Sequence, residues 1–105
     1  MTPKEYSDII SQLDLYPVHH RLECYILGIN EEAGELAGKR KKLIRDGYGP
    51  DIRTQMILEL GDIMWYNSRL ATFLGTTLEE VMDMNVAKLK SRQARGTLRG
   101  SGDDR

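Results

Sequence analysis

The chain has 105 residues, 40% of them hydrophobic and 30% charged, with a formal net charge of −1. That suits one small domain with a single core and is too apolar for a disordered chain. With 15 basic and 16 acidic residues, bulk charge predicts no partner. Cys24 stands alone, so no intramolecular disulfide is possible, and His19 and His20 have no zinc-ligand spacing. No apolar run is long enough to span a membrane, and the opening MTPKEYSD lacks the apolar stretch of a secretory signal. These features predict a reduced, cytoplasmic protein.

Thr2-Pro3-Lys4-Glu5 reads as a helix start, with Thr2 as N-cap, Pro3 at the first helical position and Glu5 completing a capping box. Tyr6, Ile9, Ile10 and Leu13 mark one face of this short helix, and Pro17 punctuates its end. A long second helix is predicted from about His19 to about Arg45, its apolar positions Leu22, Ile26, Ile29, Ala33, Leu36 and Ala37 following the 3.6-residue period. Gly28, Gly34 and Gly38 each weaken a helix by about 1 kcal/mol relative to alanine, which implies close approach of a partner helix or ligand. The basic run Lys39 to Lys42, then Arg45, complements the negative end of the helix dipole.

Asp46-Gly47-Tyr48-Gly49-Pro50 reads as a turn, and Asp51 as the N-cap of a third helix reaching about Leu74. From Met56 to Leu74 that helix is apolar nearly all round, which in so small a protein requires burial against a second subunit. Gly61 again suggests close approach. Thr77 and Glu80 form a second capping box opening a fourth helix, whose apolar stripe is Leu78, Val81, Met82 and Leu89. Asn85 interrupts that stripe, with Lys88 and Arg92 at i+3 and i+7. From Val86 onward six basic residues face two acidic ones, and residues 96–105 read as a flexible, glycine-rich basic tail to a helical domain of residues 1–95. No repeat, convincing strand pattern or low-complexity block is present. The predicted architecture is all-α with four helices.

Chemistry concentrates in two acid pairs, Glu32 with Glu35 and Glu59 with Asp62, each spaced i, i+3 on one helix face and set in apolar surroundings. Buried carboxylates demand a compensating cation, and four of them cannot neutralise one another. A hard divalent metal with oxygen ligands is the simplest compensation. Glu31, four residues before Glu35, is either a third acid of the first pair or a surface charge. Asn85 and Lys88 are either a rim position with Lys88 snorkelling or a hydrogen bond and a cation offered to a metal-held phosphate; Lys39 and Lys42, further along the Glu32–Glu35 stripe, either do the same or face solvent as part of a charge run. Arg92, Arg95 and Arg99 either close over a triphosphate or keep the tail soluble. Trp65 and Tyr66 read as core rather than as a base-stacking platform, and His19, His20 and Cys24 as structural.

The ordered set GINEEAGEL, ELGDIMWY, Asn85-x-x-Lys88 and RQARGTLRGSGD resembles the MazG-like all-α nucleoside triphosphate pyrophosphohydrolases. The family motif is E-x-x-E, a spacer, then E-x-x-D; here 23 residues separate Glu35 from Glu59. The resemblance implies a four-helix MazG-like bundle completed by dimerisation, as a homodimer or a tetramer of dimers. It implies Mg²⁺, or Mn²⁺, on Glu32, Glu35, Glu59 and Asp62, with Glu31 assisting metal or water. It also implies substrate-phosphate contacts from Asn85 and Lys88 and products of nucleoside monophosphate and pyrophosphate; nucleotide-pool house-cleaning, control of dUTP or dCTP, and broad activity all remain open. One departure is Gly28-Ile29-Asn30 before Glu31, where many relatives carry a second glycine directly before the glutamate. A non-catalytic nucleotide- or metal-binding module of the same fold is the alternative. A nucleic-acid binder using the Lys39–Lys42 run and the basic tail is disfavoured by the neutral total charge.

Overall fold

The structure, a computed structural model, describes residues 1–47 and 49–105, so the expected turn at Asp46–Pro50 lies in part outside the described residues. Four α-helices follow in order: α1 (Pro3–Ser11), α2 (Arg21–Asp46), α3 (Ile52–Phe73) and α4 (Leu78–Ala94). One 3₁₀ turn, Val18–His20, precedes α2, and no strand occurs among the described residues. No helix of the described residues is long and apolar enough to cross a membrane.

Local signals account for the helix ends. Thr2 and Thr77 both take the extended N-cap conformation, and each hydroxyl accepts the backbone N–H three residues on, from Glu5 and Glu80 respectively, at 3.1 Å. The capping boxes are not reciprocal. The Glu5 carboxylate accepts from the Thr2 hydroxyl, and that of Glu80 from the Thr76 hydroxyl. Asp51 is the residue before α3, but its side chain makes no cap bond. Gly75, at φ +78°, gives the left-handed turn that separates α3 from α4. α1 ends at Ser11, six residues before Pro17, so residues 12–17 are free to cross over to α2 and α3.

α2 and α3 run antiparallel and make the principal contact of the fold, while α1 and α4 pack more lightly on α3 and on each other. The buried apolar residues are Ile10, Tyr25, Leu43 and Ala71, a small set. A buried polar network joins the crossing segment to both long helices. Arg69 Nε donates to Asp14 Oδ2 at 2.8 Å, and the Tyr25 hydroxyl donates to the same oxygen. Burial alone would raise the Asp14 carboxyl, but the bonds from Tyr25, Arg69 and the Tyr16 N–H outweigh it and hold it below the ordinary carboxylate range. Removing one partner from such a buried pair costs about 3–5 kcal/mol, because the other charge is left uncompensated.

The single chain is unusually open. A compact domain of this length has a radius of gyration of about 13 Å, and here it is 16.7 Å. The chain exposes 8005 Å², roughly 2,000 Å² more than a folded monomer of its size. Much of the excess is apolar. Ile57, Leu58, Leu60 and Met64 of α3 are exposed, as are Val81, Met82, Met84, Val86 and Leu89 of α4. The all-round apolar α3 thus buries only part of its surface within one chain.

Residues 96–105, expected as a flexible tail, fold back onto the end of α4. Arg92 is buried and donates to the Asp103 carbonyl at 2.9 Å, while Arg105 donates to the carbonyls of Thr97, Leu98 and Gly102. Guanidinium groups carry several donors in a planar fork, so two of them suffice to order a short glycine-rich segment.

Candidate active site

The register of α2 against α3 is set where the two backbones come closest. A Cβ on Gly28 would lie 2.2 Å from the Tyr66 ring, so only glycine admits that ring. One turn earlier on α2, Tyr25 meets Arg69, whose guanidinium carbon sits 5.8 Å from the ring centroid. Each step along α2 is matched by an equal step back along α3. One turn beyond Gly28 lies Glu32, and one turn before Tyr66 lies Asp62, so the contact at glycine dictates that these two acids face each other. Gly34, Gly38 and Gly61, expected to mark close approach as well, have nothing within 4 Å of an added Cβ in the single chain.

Glu32, Glu59 and Asp62 each offer one carboxylate oxygen to a group spanning no more than 4.8 Å. Lys39, two turns beyond Glu32, brings its Nζ to 3.3 Å from Glu59 Oε1, with both side chains largely shielded from solvent. Beside the acids opens a cleft of about 460 Å³, lined by Leu13, Leu15, Tyr16, Glu32, Asp62, Trp65 and Tyr66. Its aromatic wall is continuous: the Tyr16 ring packs edge-on against Trp65 with centroids 6.2 Å apart, and its hydroxyl is hydrogen-bonded to that of Tyr66. A cleft of this size, part apolar and part acidic, is of the kind that holds a small ligand.

Residues 20–96 match the model of the MazG nucleotide pyrophosphohydrolase domain. The chain belongs to the MazG family. It is also 45% identical over 87 residues to the Gene 37 protein of Mycobacterium phage L5, a stretch covering 80% of this chain and 76% of that protein. No solved structure matches it significantly. The MazG match spans α2, α3 and α4, and so includes all four acids of the two motifs. It begins after the segment that carries Leu13, Leu15 and Tyr16.

Within the MazG domain the sequence candidates separate into two groups. Glu32, Glu59, Asp62 and Lys39 come together. Glu35 and Glu31 are exposed on α2 next to that group and outside its shared oxygen cluster. Asn85 and Lys88 line a separate depression on α4 with Val81 and Met84. Arg92, assigned by sequence to substrate, is instead engaged with the Asp103 carbonyl. Trp65 and Tyr66, expected in the core, are half-buried and line the cleft. Leu15 and Tyr16 lack any motif, their one sequence hint being an apolar-aromatic pair before Pro17 that no helix face explained, and Leu13, read as part of the first helix's face, lies beyond its end at Ser11.

The three acids repel one another. Burial, a hydrogen bond with Glu59 and the charges of Asp62, Glu59 and Glu31 push the Glu32 carboxyl up to about 7. In the metal-free protein a proton therefore does part of the work of a cation. Opposed ligands of Mg²⁺ lie about 4.2 Å apart, so this all-oxygen set fits a hard divalent ion after a small contraction. The sign of the linked stability follows. An acid whose folded pKa is raised holds its proton more tightly in the native state, so its contribution is complete below the unfolded value near 4.5 and is lost as pH rises to about 7. The melting temperature of the metal-free protein is expected to fall over that window and level off above it. Glu32→Gln should flatten the profile; a wild-type profile already flat between those values would contradict the raised carboxyl.

Proposed function

We propose that this MazG domain hydrolyses a nucleoside triphosphate to the monophosphate and pyrophosphate with Mg²⁺, Mn²⁺ being able to substitute. The observation that carries this reading is the convergence of Glu32, Glu59 and Asp62, from two helices, beside an aromatic-walled cleft. Glu32, Glu59 and Asp62 would hold the metal, joined by Glu35 one turn beyond Glu32. A bound divalent ion supplies charge neutralisation at the phosphate oxygens and lowers the pKa of an attacking water. Glu31, exposed beside the trio, would assist the metal or the attacking water. Lys39, already against Glu59, presents an ammonium to the triphosphate at the edge of the cluster. The base and sugar lie in the cleft against Tyr16, Trp65 and Tyr66, whose rings offer an apolar, aromatic surface to a base.

The active form is a homodimer or a tetramer built from dimers. The roughly 2,000 Å² of excess surface per chain is what an obligate homodimer interface buries, and the exposed apolar faces of α3 and α4 supply it. An interface that covers Val81, Met82, Val86 and Leu89 carries Asn85 and Lys88 with it, which is how these two would reach substrate phosphate. Arg92 is left out of the substrate site because its guanidinium is engaged with the tail.

A pyrophosphate-release assay with Mg²⁺ and each (d)NTP tests the reading, with sedimentation equilibrium on the same sample. Expected are metal-dependent pyrophosphate, loss of it in EDTA, and a dimer or larger at micromolar concentration. Nucleotide binding without pyrophosphate would instead favour a non-catalytic nucleotide-binding module. A chain that stays monomeric while fully active would remove the assembly from the proposal.

A further inference from the structure

Tyr16 is held from three directions. Its N–H donates to Asp14 Oδ1 at 3.0 Å, its carbonyl accepts from Arg21 Nε at 3.2 Å, and its hydroxyl pairs with that of Tyr66. Asp14 is in turn fixed by Arg69 and Tyr25, its side chain only 1% exposed. This is a large investment of buried polar bonds in a six-residue crossing segment. Yet the other side chains of that segment at the cleft, Leu13 and Leu15, are 63% and 93% exposed, so burial of apolar surface does not explain why the segment is tied down.

What the ties do achieve is the position of one wall of the cleft. Trp65, Tyr66, Glu32 and Asp62 come from the helical pair that the MazG match covers, whereas Leu13, Leu15 and Tyr16 join the lining from outside it, Tyr16 extending the aromatic wall of Trp65 and Tyr66. The acids and this end of the wall therefore have separate origins in the chain.

We propose that Asp14, itself held by Arg69 and Tyr25, is a positioning residue that sets Tyr16 against Tyr66 and so fixes the aromatic wall that bounds the nucleobase cleft, making the 12–17 segment the selectivity element of the site. This rests on the proposed nucleotide hydrolysis. A base is planar and rigid, so a wall held in one position accepts some bases and rejects others, whereas a loose wall accepts several with less affinity for each. The network acts on binding of the base and leaves the acids to hold the metal.

The test compares wild type with Tyr16→Phe, Asp14→Asn, Arg69→Lys and Arg69→Met across the eight standard (d)NTPs. Trp65, the sole tryptophan, lines the cleft and reports nucleotide binding by fluorescence without any turnover. Tyr16→Phe keeps the ring and removes the bond to Tyr66; about one hydrogen bond's worth of binding predicts KM for the preferred nucleotide up roughly tenfold. Its kcat should stay within about twofold, and the kcat/KM ratio of best to worst base should shrink about tenfold. Mn²⁺ affinity should be unchanged in every variant. Asp14→Asn should behave as Tyr16→Phe or more strongly, and Arg69→Lys, which keeps a cation at Asp14, should recover selectivity that Arg69→Met loses. If Asp14 and Arg69 variants fail to fold, Tyr16→Phe decides alone. Wild-type KM and base preference in Tyr16→Phe, or a fall in its kcat at constant KM, would overturn the assignment and leave the hydrolase reading intact. A wild-type chain that neither binds nor hydrolyses any of the eight nucleotides overturns both.

Discussion

Asp62→Asn is expected to lower magnesium-dependent triphosphate hydrolysis by at least about 100-fold, since even the outer partners of metal ligands cost 10–100-fold when removed. Asp62 is the exposed member of the three converging acids, so an isosteric amide there opens no cavity and leaves the helices in place. The change removes a full negative charge from a set whose other members, Glu32 and Glu59, already repel it. The metal-free mutant should therefore melt at a higher temperature than wild type, while its Mg²⁺ affinity falls. Gain of stability with loss of function separates a ligand from a structural residue, because a structural acid would lose both. Asp62 also helps to keep the proton on Glu32, so the pH-dependent fall in melting temperature should end at a lower pH in this mutant. Glu35→Gln is expected to lose turnover similarly although Glu35 stands outside the trio without metal. Isothermal titration of Mg²⁺, pyrophosphate release and a melting curve at neutral pH are the three measurements. Wild-type metal affinity in Asp62→Asn would remove that residue from the cation site.

Gly28→Ala should destabilise the protein, against the usual expectation for a glycine inside a helix. Helix propensity alone favours alanine by about 1 kcal/mol. Against that, the new Cβ would stand 2.2 Å from the Tyr66 ring, far inside contact distance. That ring cannot simply swing away, because its hydroxyl is bonded to Tyr16 and it makes a T-shaped contact with Trp65 at 5.0 Å between centroids. Overpacking of this kind costs about 1–3 kcal/mol or more, so the steric term wins. For a domain of this size each net kcal/mol lowers the melting temperature by about 4–8 °C. The activity should fall too, since Glu32 lies one turn away and depends on the same register. Gly34→Ala is the control, with nothing within 4 Å of the added methyl in the single chain. Pairing Gly28→Ala with Tyr66→Leu should recover part of the loss, and a double-mutant cycle would read the coupling directly. Equal stability of Gly28→Ala and wild type would mean that the two helices are not held at this contact.

Much of the secondary structure was legible because its causes are local. Thr2 and Thr77 announce α1 and α4 by capping chemistry that acts within three residues, and the 3.6-residue apolar period draws α2 from Leu22 onward. The two acid pairs were legible for the same reason: an i, i+3 spacing within an apolar run is a one-helix property. Gly28 was visible as a cost needing a reason, but its partner was not, and Gly34, Gly38 and Gly61 carried the same signal without a neighbour in the single chain.

What the sequence determined by itself was the set of helices, the family and the chemical type of the acid pairs, since each follows from residues within a few turns of one another. Only the tertiary structure decided which acids meet, that Lys39 joins them, that Arg92 is committed to the tail, and that Tyr16 closes a cleft with Trp65 and Tyr66. Those outcomes depend on helix register and on a crossing segment anchored 55 residues away in sequence, at Asp14 and Arg69. Such contacts join groups whose spacing along the chain carries no period, so no local pattern records them.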